Sequence, residues 1–429
     1  MKRLLFITER FAPDLGGLSR SATRLVTTLC QLDIEVDVVT WSRYLQPGEV
    51  LPPQTPEDLP VNCKVHRIGL YRHWDMTIPH TLNLLDWLHQ TYAYGAIWGH
   101  YLFPSGFIAV WFASLKGIRS TVSARGNDVD KGMFPPGDFA RLQWTLENAG
   151  LITAVSADMS RKIQLLSRRD DILVLKNAVD TQSFYIDSRD RNTNVSQSSE
   201  KLFSNLSANS FDSGEEFFNS SNQLISPDIK KEQVLLRESL KIASDEVILG
   251  FCGELREKKG QRFLLDALNM VRAQRPACLL IIGEVRVSSE SMLQNYKVHY
   301  PEDAKRVIVT GNLPSPKDVA RYLRICDVYL QPSLWDGMPN GLLEAMACGC
   351  CCIGSDAGGI PEVITHGKNG FLLPRSQLHR LGSAILEYLA MPLENQKMIT
   401  AAASSYICDR YSLEQEKLEL EGIIERLFI

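Results

Sequence analysis

Short apolar runs, each ending at glycine or a polar loop and followed by residues at helical spacing, recur along this chain. Leu4 to Thr8 is the first, followed by a loop over Phe11 to Gly17 and a helical pattern from Ser19 that sets Leu25, Val26 and Leu29 on one face. Val36 to Thr40 is the next run. Ala96 to His100, a helix over Phe107 to Leu115 and Ser120 to Ser123 continue the alternation. Leu151 to Val155 precedes Ser156, whose hydroxyl suits an N-cap for a helix over Ala157 to Leu166, and Ile172 to Leu175 follows. A second series opens at Val247 to Gly250 and runs through a helix from Gln261, then Leu279 to Gly283, Val307 to Gly311 and Val328 to Leu330. Runs this short, alternating with helices, predict parallel sheets in an α/β chain.

Two stretches depart from the alternation. Trp41 to Pro79 is rich in proline and lacks periodicity, so loops around a short strand near Cys63 to Ile68 are expected. Ile186 to Gln233 is dense in Ser and Asn and poor in apolar residues; it buries too little to offset its ordering entropy, and a mobile insertion is expected between 1–185 and 234–407. From Pro392 onward the chain reads as helices. The last runs from Ser412 through Leu427, with Leu413, Leu418, Leu420, Ile423, Ile424 and Leu427 as candidate apolar positions.

Composition narrows the class. The 429 residues suffice for two domains, and 45% hydrophobic and 22% charged residues with a formal net charge of −4 give no basic footprint for nucleic acid. No apolar run approaches the roughly 18 residues of a membrane span. Leu4 to Ile7, after Met1-Lys2-Arg3, is too short for a signal segment and reads as the first buried strand. Of the ten cysteines, Cys348, Cys350, Cys351 and Cys352 lack the spacing of paired zinc ligands and read as small buried residues in a reducing cytoplasm.

Candidate chemistry gathers at strand-to-helix turns. After Val328 to Leu330 comes a loop over Pro332 to Asn340, then a helix opening at Gly341-Leu342. Unpaired backbone N–H groups and the positive end of the helix dipole there favour an anion, and Gly337 and Gly341 let the backbone approach it. Asp336 and Glu344, with seven residues between them, either accept hydrogen bonds from a polyol in that crevice or serve the helix as cap and first-turn acid. Gly253 to Gly260 carries Arg256 and Lys259 at a similar turn, as a diphosphate clamp or, given Glu254 and Glu257, as a solvated charge run. Strand, Gly16-Gly17 loop, helix and strand form a Rossmann-type opening unit, in which those glycines are turn residues or ligand contacts. His100 ends a strand as an acid/base candidate or a packed histidine, and the backbone near Gly283 and Asn312 is a candidate border for a nucleotide base.

Several of these motifs occur together in one known family. Asp336, seven residues, Glu344, then EAMACG ending at Gly349 and Gly358-Gly359-Ile360-Pro361-Glu362-Val363-Ile364 resemble the signature of retaining glycosyltransferases of family 4. Lys176 to Phe184 is similar to that family's Pro-Asn-Gly-Val-Asp…Phe segment. Five positions depart from the family: Lys176 and Ala178 stand for Pro and Gly, Asp336 for Glu, Arg125 for a frequent His, and Glu254 for Arg, with Arg256 as the natural substitute. Asp128-Val129-Asp130 matches the metal-binding Asp-x-Asp of the other main glycosyltransferase fold, but it lies in a loop that resembles family 4, where no metal is used.

The resemblance implies a GT-B fold, two Rossmann-like α/β domains facing across a cleft, with 408–429 as a C-terminal helix returning to the first domain. It implies Arg256, Lys259, Asp336 and Glu344 as catalytic residues. It also implies donor contacts at Gly16, Gly17, Gly253, Asn340, Gly341, Leu342, Gly283 and Asn312, and acceptor-side contacts at His100, Arg125 and Asp128. The partners implied are a nucleotide-diphosphate sugar, as co-substrate rather than cofactor, and a glycan, lipid-linked glycan or small-molecule acceptor. No metal and no nucleic acid belong to that picture. Its setting is cytoplasmic and bacterial, in polysaccharide or glycoconjugate synthesis, with room for peripheral contact at the inner face of a membrane. A non-catalytic subunit that holds a nucleotide-sugar is the alternative. A nicotinamide enzyme or epimerase would show Gly-x-Gly-x-x-Gly after the first strand, and this chain does not.

Overall fold

In the computed structural model, residues 2–14, 16–55, 59–132, 136–186, 227–313 and 315–428 are described. Of the insertion read over 186–233, the part from 187 to 226 lies outside the described residues. Its end is helical: Pro227–Ser239 is an α-helix.

Among the described residues the strands form two sheets, parallel throughout. The first holds β1 (Lys2–Thr8), β2 (Ile34–Ser42), β3 (Cys63–Gly69), β4 (Ala96–His100), β5 (Arg119–Ala124), β6 (Leu151–Ala154) and β7 (Leu173–Val174), in the order β3-β2-β1-β4-β5-β6-β7. The second holds β8 (Val247–Cys252), β9 (Ala277–Ile282), β10 (Val307–Val309), β11 (Val328–Gln331), β12 (Cys351–Ser355) and β13 (Phe371–Leu373), in the order β10-β9-β8-β11-β12-β13. Two-residue periodicity explains why helices cover both faces. Leu4 and Phe6 pack with Leu25, Val26 and Leu29 on one side of β1, while Leu5 and Ile7 pack with Ile108 and Phe112 on the other. In β8, Ile248 faces Leu342 and Leu343 while Leu249 and Phe251 face Leu264 and Leu268.

Each order reverses once, between β1 and β4 in the first sheet and between β8 and β11 in the second. Neighbouring strands there send their helices to opposite faces, so a crevice opens outside their carboxyl ends. Those ends carry Thr8, His100, Cys252 and Gln331. The glycine loop and both charged loops follow them directly.

Three elements differ from the sequence reading. The stretch read as loops up to Pro79 already turns helical at Trp74, in the helix Trp74–Tyr92. Pro79 costs it a hydrogen bond near its start, but Thr77, Ile78, Thr81, Leu85 and Leu88 bury one face and decide the outcome. Asn127–Gly132, read as loop, is a short helix. In the last helix, Leu413–Leu427, Leu418 is 61% exposed and Glu416 is buried instead. Glu416 is tolerated inside because Arg24 Nε lies 3.0 Å from each of its carboxylate oxygens. Leu420, Ile423, Ile424 and Leu427 of this helix pack against Leu4, Phe6 and Leu25 of the first domain. Each contributes about 1.5–3 kcal/mol to that docking.

Candidate functional site

In the second domain, the loops after β8 and β11 lie against each other. Leu334 N–H donates to the Lys258 carbonyl at 2.8 Å, which stitches them together. Lys259 Nζ and Asp336 Oδ2 form a tight ion pair across the seam, and the Asp336 carboxylate also accepts from Ser333 Oγ at 3.3 Å and Gly337 N–H at 3.1 Å. Burial pushes the Asp336 carboxyl up, but Lys259 and Lys258 more than reverse this and hold it below the usual carboxylate range. Burial pulls Lys258 down to about 8 against the opposing pull of Asp336.

The helix Asn340–Ala347 opens beside this pair. Gly341 is required by contact: a Cβ there would lie 2.7 Å from Tyr329 Oη and 3.0 Å from the Cys252 carbonyl oxygen. Leu342 is fully buried beneath, and Asn340 Oδ1 is buried with no hydrogen-bond partner. Glu344, one turn into the helix, points at the cleft, where Arg20 Nη1 of the first domain lies 3.5 Å from its Oε1. Glu344 raises the Arg20 pKa further, so the guanidinium stays charged.

Arg256, expected with Lys259 as a diphosphate clamp, lies against Glu254. Its Nη1 lies 3.4 Å from Glu254 Oε2, whose other oxygen is 3.6 Å from Arg286 Nε, and Arg256 Nε has no hydrogen-bond partner. The acid two residues away along an extended segment points the same way and faces the cation. Lys258, which sequence reading passed over, stands nearer to Asp336. Gly253 and Gly283 are packed on each other, since a Cβ on Gly283 would come within 2.4 Å of the Gly253 oxygen. Asn312 is exposed after β10, two strands out from β8.

The first domain presents Gly16 and Gly17, both exposed, at the head of the helix Gly17–Cys30. Its other candidates lie deeper. His100 is fully buried, with Nδ1 3.4 Å from Thr8 Oγ1 and Nε2 3.4 Å from Ser21 Oγ. Burial first, then Arg125 and Arg24, hold it well below its ordinary pKa, so it is neutral. Thr8 donates its own proton to the Arg10 carbonyl, which assigns the ring proton to Nδ1. Arg125 donates to Leu175 O at 3.1 Å, Ser21 Oγ at 2.8 Å and Asn177 Oδ1 at 2.7 Å. Burial, reinforced by Arg24, lowers it to about 10. Asp128 accepts from the Arg125 and Gly126 N–H groups at 3.0 and 2.9 Å, and burial nonetheless raises it to about 6. These three residues, expected to face an acceptor, form a polar floor in which His100 and Asp128 are buried and Arg125 is half-buried. Buried polar groups are stable mainly when partnered, and here, Arg125 Nε excepted, the partners are protein atoms.

That floor reaches the second domain. Asn177 Nδ2 donates to Met338 O at 2.9 Å, and Glu362 accepts from Ala157 and Asp158 N–H at 3.0 Å each, capping a first-domain helix. At the centre, a Cβ on Gly337 would lie 2.7 Å from Gly126 Cα and 2.9 Å from Arg125 O, so only glycine allows the two loops to touch. Arg20, Lys258, Asn177 and Glu362 are thus site residues missed in sequence. Arg20 had a signal, standing one helical turn beyond Gly16.

Among the described residues no group of His, Cys, Asp or Glu side chains could hold a metal ion. Asp128 and Asp130 do not converge: Asp130 pairs with Lys162 at 2.9 Å. A cavity of about 470 Å³ lined by Val110, Arg119, Asn148 and Leu427 lies at the opposite, amino ends of β5 and β6. No helix among the described residues is long and apolar enough to cross a membrane.

Residues 246–391 match the family described as glycosyl transferases group 1, and residues 16–178 match the glycosyl transferase 4-like domain. Over 369 residues, 84% of this chain and 81% of the relative, the sequence is 23% identical to N-acetyl-alpha-D-glucosaminyl L-malate synthase of Bacillus anthracis. A lipopolysaccharide 1,2-N-acetylglucosaminetransferase of Salmonella typhimurium is 26% identical over 45% of this chain and 52% of its own. Among solved structures, sucrose-phosphate synthase of Thermosynechococcus elongatus matches with a TM-score of 0.74 at 17% identity, over 100% of this chain and 99% of that one. HepE of Anabaena, in complex with UDP and glucose, matches with a TM-score of 0.72 at 14% identity, over 99% and 100%. The fold is GT-B.

Proposed function

This chain belongs to the group 1 glycosyltransferases, and we propose that it moves a hexose-type sugar from a nucleotide-diphosphate donor to an acceptor hydroxyl with retention of configuration and without a metal ion. The donor diphosphate sits against the amides of Asn340 to Leu342 with Lys259 beside it, Asp336 orients sugar hydroxyls, and Glu344 receives the ribose. The bond from the anomeric carbon to the diphosphate oxygen breaks with its electron pair going to that oxygen. Lys259 and the helix N-terminus stabilise the charge that develops there. The acceptor oxygen bonds to the anomeric carbon from the same face, and its proton passes to the departing phosphate. His100, neutral and buried, and Arg125, always charged, serve as no base in this reading.

The observation that carries the proposal is the meeting of Lys259, Asp336 and the head of the helix Asn340–Ala347 at the second sheet's switch point. The HepE complex with UDP and glucose supports a nucleotide donor. Relatives named for L-malate and for lipopolysaccharide support an acceptor class that spans small molecules and glycans, including lipid-linked ones. A cytoplasmic setting in bacterial polysaccharide or glycoconjugate synthesis, with peripheral contact at the inner membrane face for a lipid-linked acceptor, belongs to the same proposal. Thermal shifts with UDP-, GDP- and ADP-sugars test the donor, since a ligand at about a hundred times its Kd adds ~2.7 kcal/mol of apparent stability. Anomeric configuration of the product, read by NMR, tests retention. The capture of Arg256 by Glu254 favours one second reading, a subunit that holds the donor without turning it over. Purified protein that binds a nucleotide-sugar but releases no nucleoside diphosphate would establish it.

A further inference from the structure

The cations that the second domain brings near the proposed diphosphate site, Lys258 among them, face acids of that same domain. Lys259 is paired with Asp336, and Arg256 and Arg286 both lie against Glu254. Across the cleft stands Arg20, on the first turn of the helix Gly17–Cys30. Its side chain is 45% exposed, and its contact with Glu344 spans 3.5 Å, as long as those of Arg256 and Arg286 with Glu254 but made across the cleft. Arg24, one turn along the same helix, is different: it holds both oxygens of buried Glu416 at 3.0 Å. One arginine is locked and the other is free to take a ligand. Glu344 lies one turn into the helix Asn340–Ala347, so its contact brings Arg20 to the first turns of that helix.

We propose that Arg20 is a catalytic residue that supplies a further cation to the donor diphosphate across the interdomain cleft, from the domain opposite Lys259. The proposal rests on the donor reading given above. Arg20 N–H groups donate to the diphosphate oxygen that receives the electron pair as the bond to the anomeric carbon breaks; Arg20 itself gives up no proton. Because the cation comes from the other domain, leaving-group stabilisation is complete only when the two loops meet at Gly126 and Gly337.

Arg20→Gln and Arg20→Lys test this against the native chain, by thermal-shift affinity for UDP, GDP and ADP and for UMP, GMP and AMP, together with kcat on the donor that binds. Expected for Arg20→Gln is a ~10- to 100-fold loss of affinity for the preferred diphosphate, the size of one charge-assisted contact, with the monophosphate nearly unaffected and kcat reduced. Arg20→Lys should restore part of both. Equal losses for monophosphate and diphosphate would overturn the proposal, because the ribose is common to both and Arg20 would then act only by holding Glu344. Unchanged diphosphate binding and kcat in Arg20→Gln would overturn it while leaving the donor reading intact. No shift of the native chain with any nucleoside diphosphate would sink the donor reading and this proposal with it.

Discussion

The first domain meets the cleft with Arg125, His100, Asp128 and Asn177, the second with Lys259, Lys258, Asp336 and Glu344, and the two sets handle polarity in opposite ways. In the first, polar atoms are buried and joined mainly to one another or to backbone: Arg125 to Leu175, Ser21 and Asn177, and Asp128 to two N–H groups. In the second, the carboxylates of Asp336 and Glu344 are also buried but face cations, Lys259 from the neighbouring loop and Arg20 from across the cleft, and Arg20 is half exposed. Residues of similar type therefore do different work. A buried network satisfied at all but Arg125 Nε fixes geometry, because a further change leaves another unpaired group; a loose pair at the rim can trade its partner for a ligand.

The sharpest way to break this contrast is Lys259→Ala. Turnover should fall by ~10² to 10³, about 3–4 kcal/mol of transition-state stabilisation, with little change in donor affinity. Steady-state kinetics beside a binding isotherm check it; parallel losses in kcat and affinity would make Lys259 a general binding residue. Arg125→Ala should act on the other quantity, lowering unfolding free energy by about 3 kcal/mol as it strands acceptors on Leu175 and Asn177. Denaturant melts measure it, and a stable but inactive variant would move Arg125 from floor to site.

Gly337→Ala lies where the two regions touch. Its methyl would press on Gly126 and the Arg125 carbonyl, and transfer should drop ~10- to 100-fold, the scale of a misplacement near 1 Å. Near-native kcat would show that the loops need not meet. The smallest effect concerns His100. Folding holds its pKa below the ordinary value, so the unfolded chain binds a proton that the folded chain refuses. Stability is then full above about pH 6.5 and falls as pH drops below it, by at most about 1.4 kcal/mol per pH unit. Asp128, raised to about 6, works the other way, its protonation favouring the fold as pH falls from about 6 towards 4. His100→Gln should therefore show a shallower loss of stability than the native chain between pH 7 and pH 5.5, about 1 kcal/mol at most, in melts at matched ionic strength. Superimposable pH profiles would mean that His100 is solvated in the folded chain.

The amino-acid sequence by itself determined the α/β class, the two parallel sheets and the strand-to-helix turns, since apolar runs, helical spacing and turn glycines are local signals carried by neighbouring residues. Lys259, Asp336 and Glu344 stood out because motif spacing places them on such turns, and Ser156, read as an N-cap, accepts from Met159 N–H at 3.2 Å. Only the tertiary structure decided which charge meets which. Arg20 and Glu344 are more than three hundred residues apart in the chain. Arg256 faces an acid two residues away that cancels it, and His100 and Arg125 carry the same side chains whether they line a cleft or lie beneath it. Burial and ion pairing depend on distances across the fold, and those exist only once both sheets have packed and the last helix has docked on the first domain.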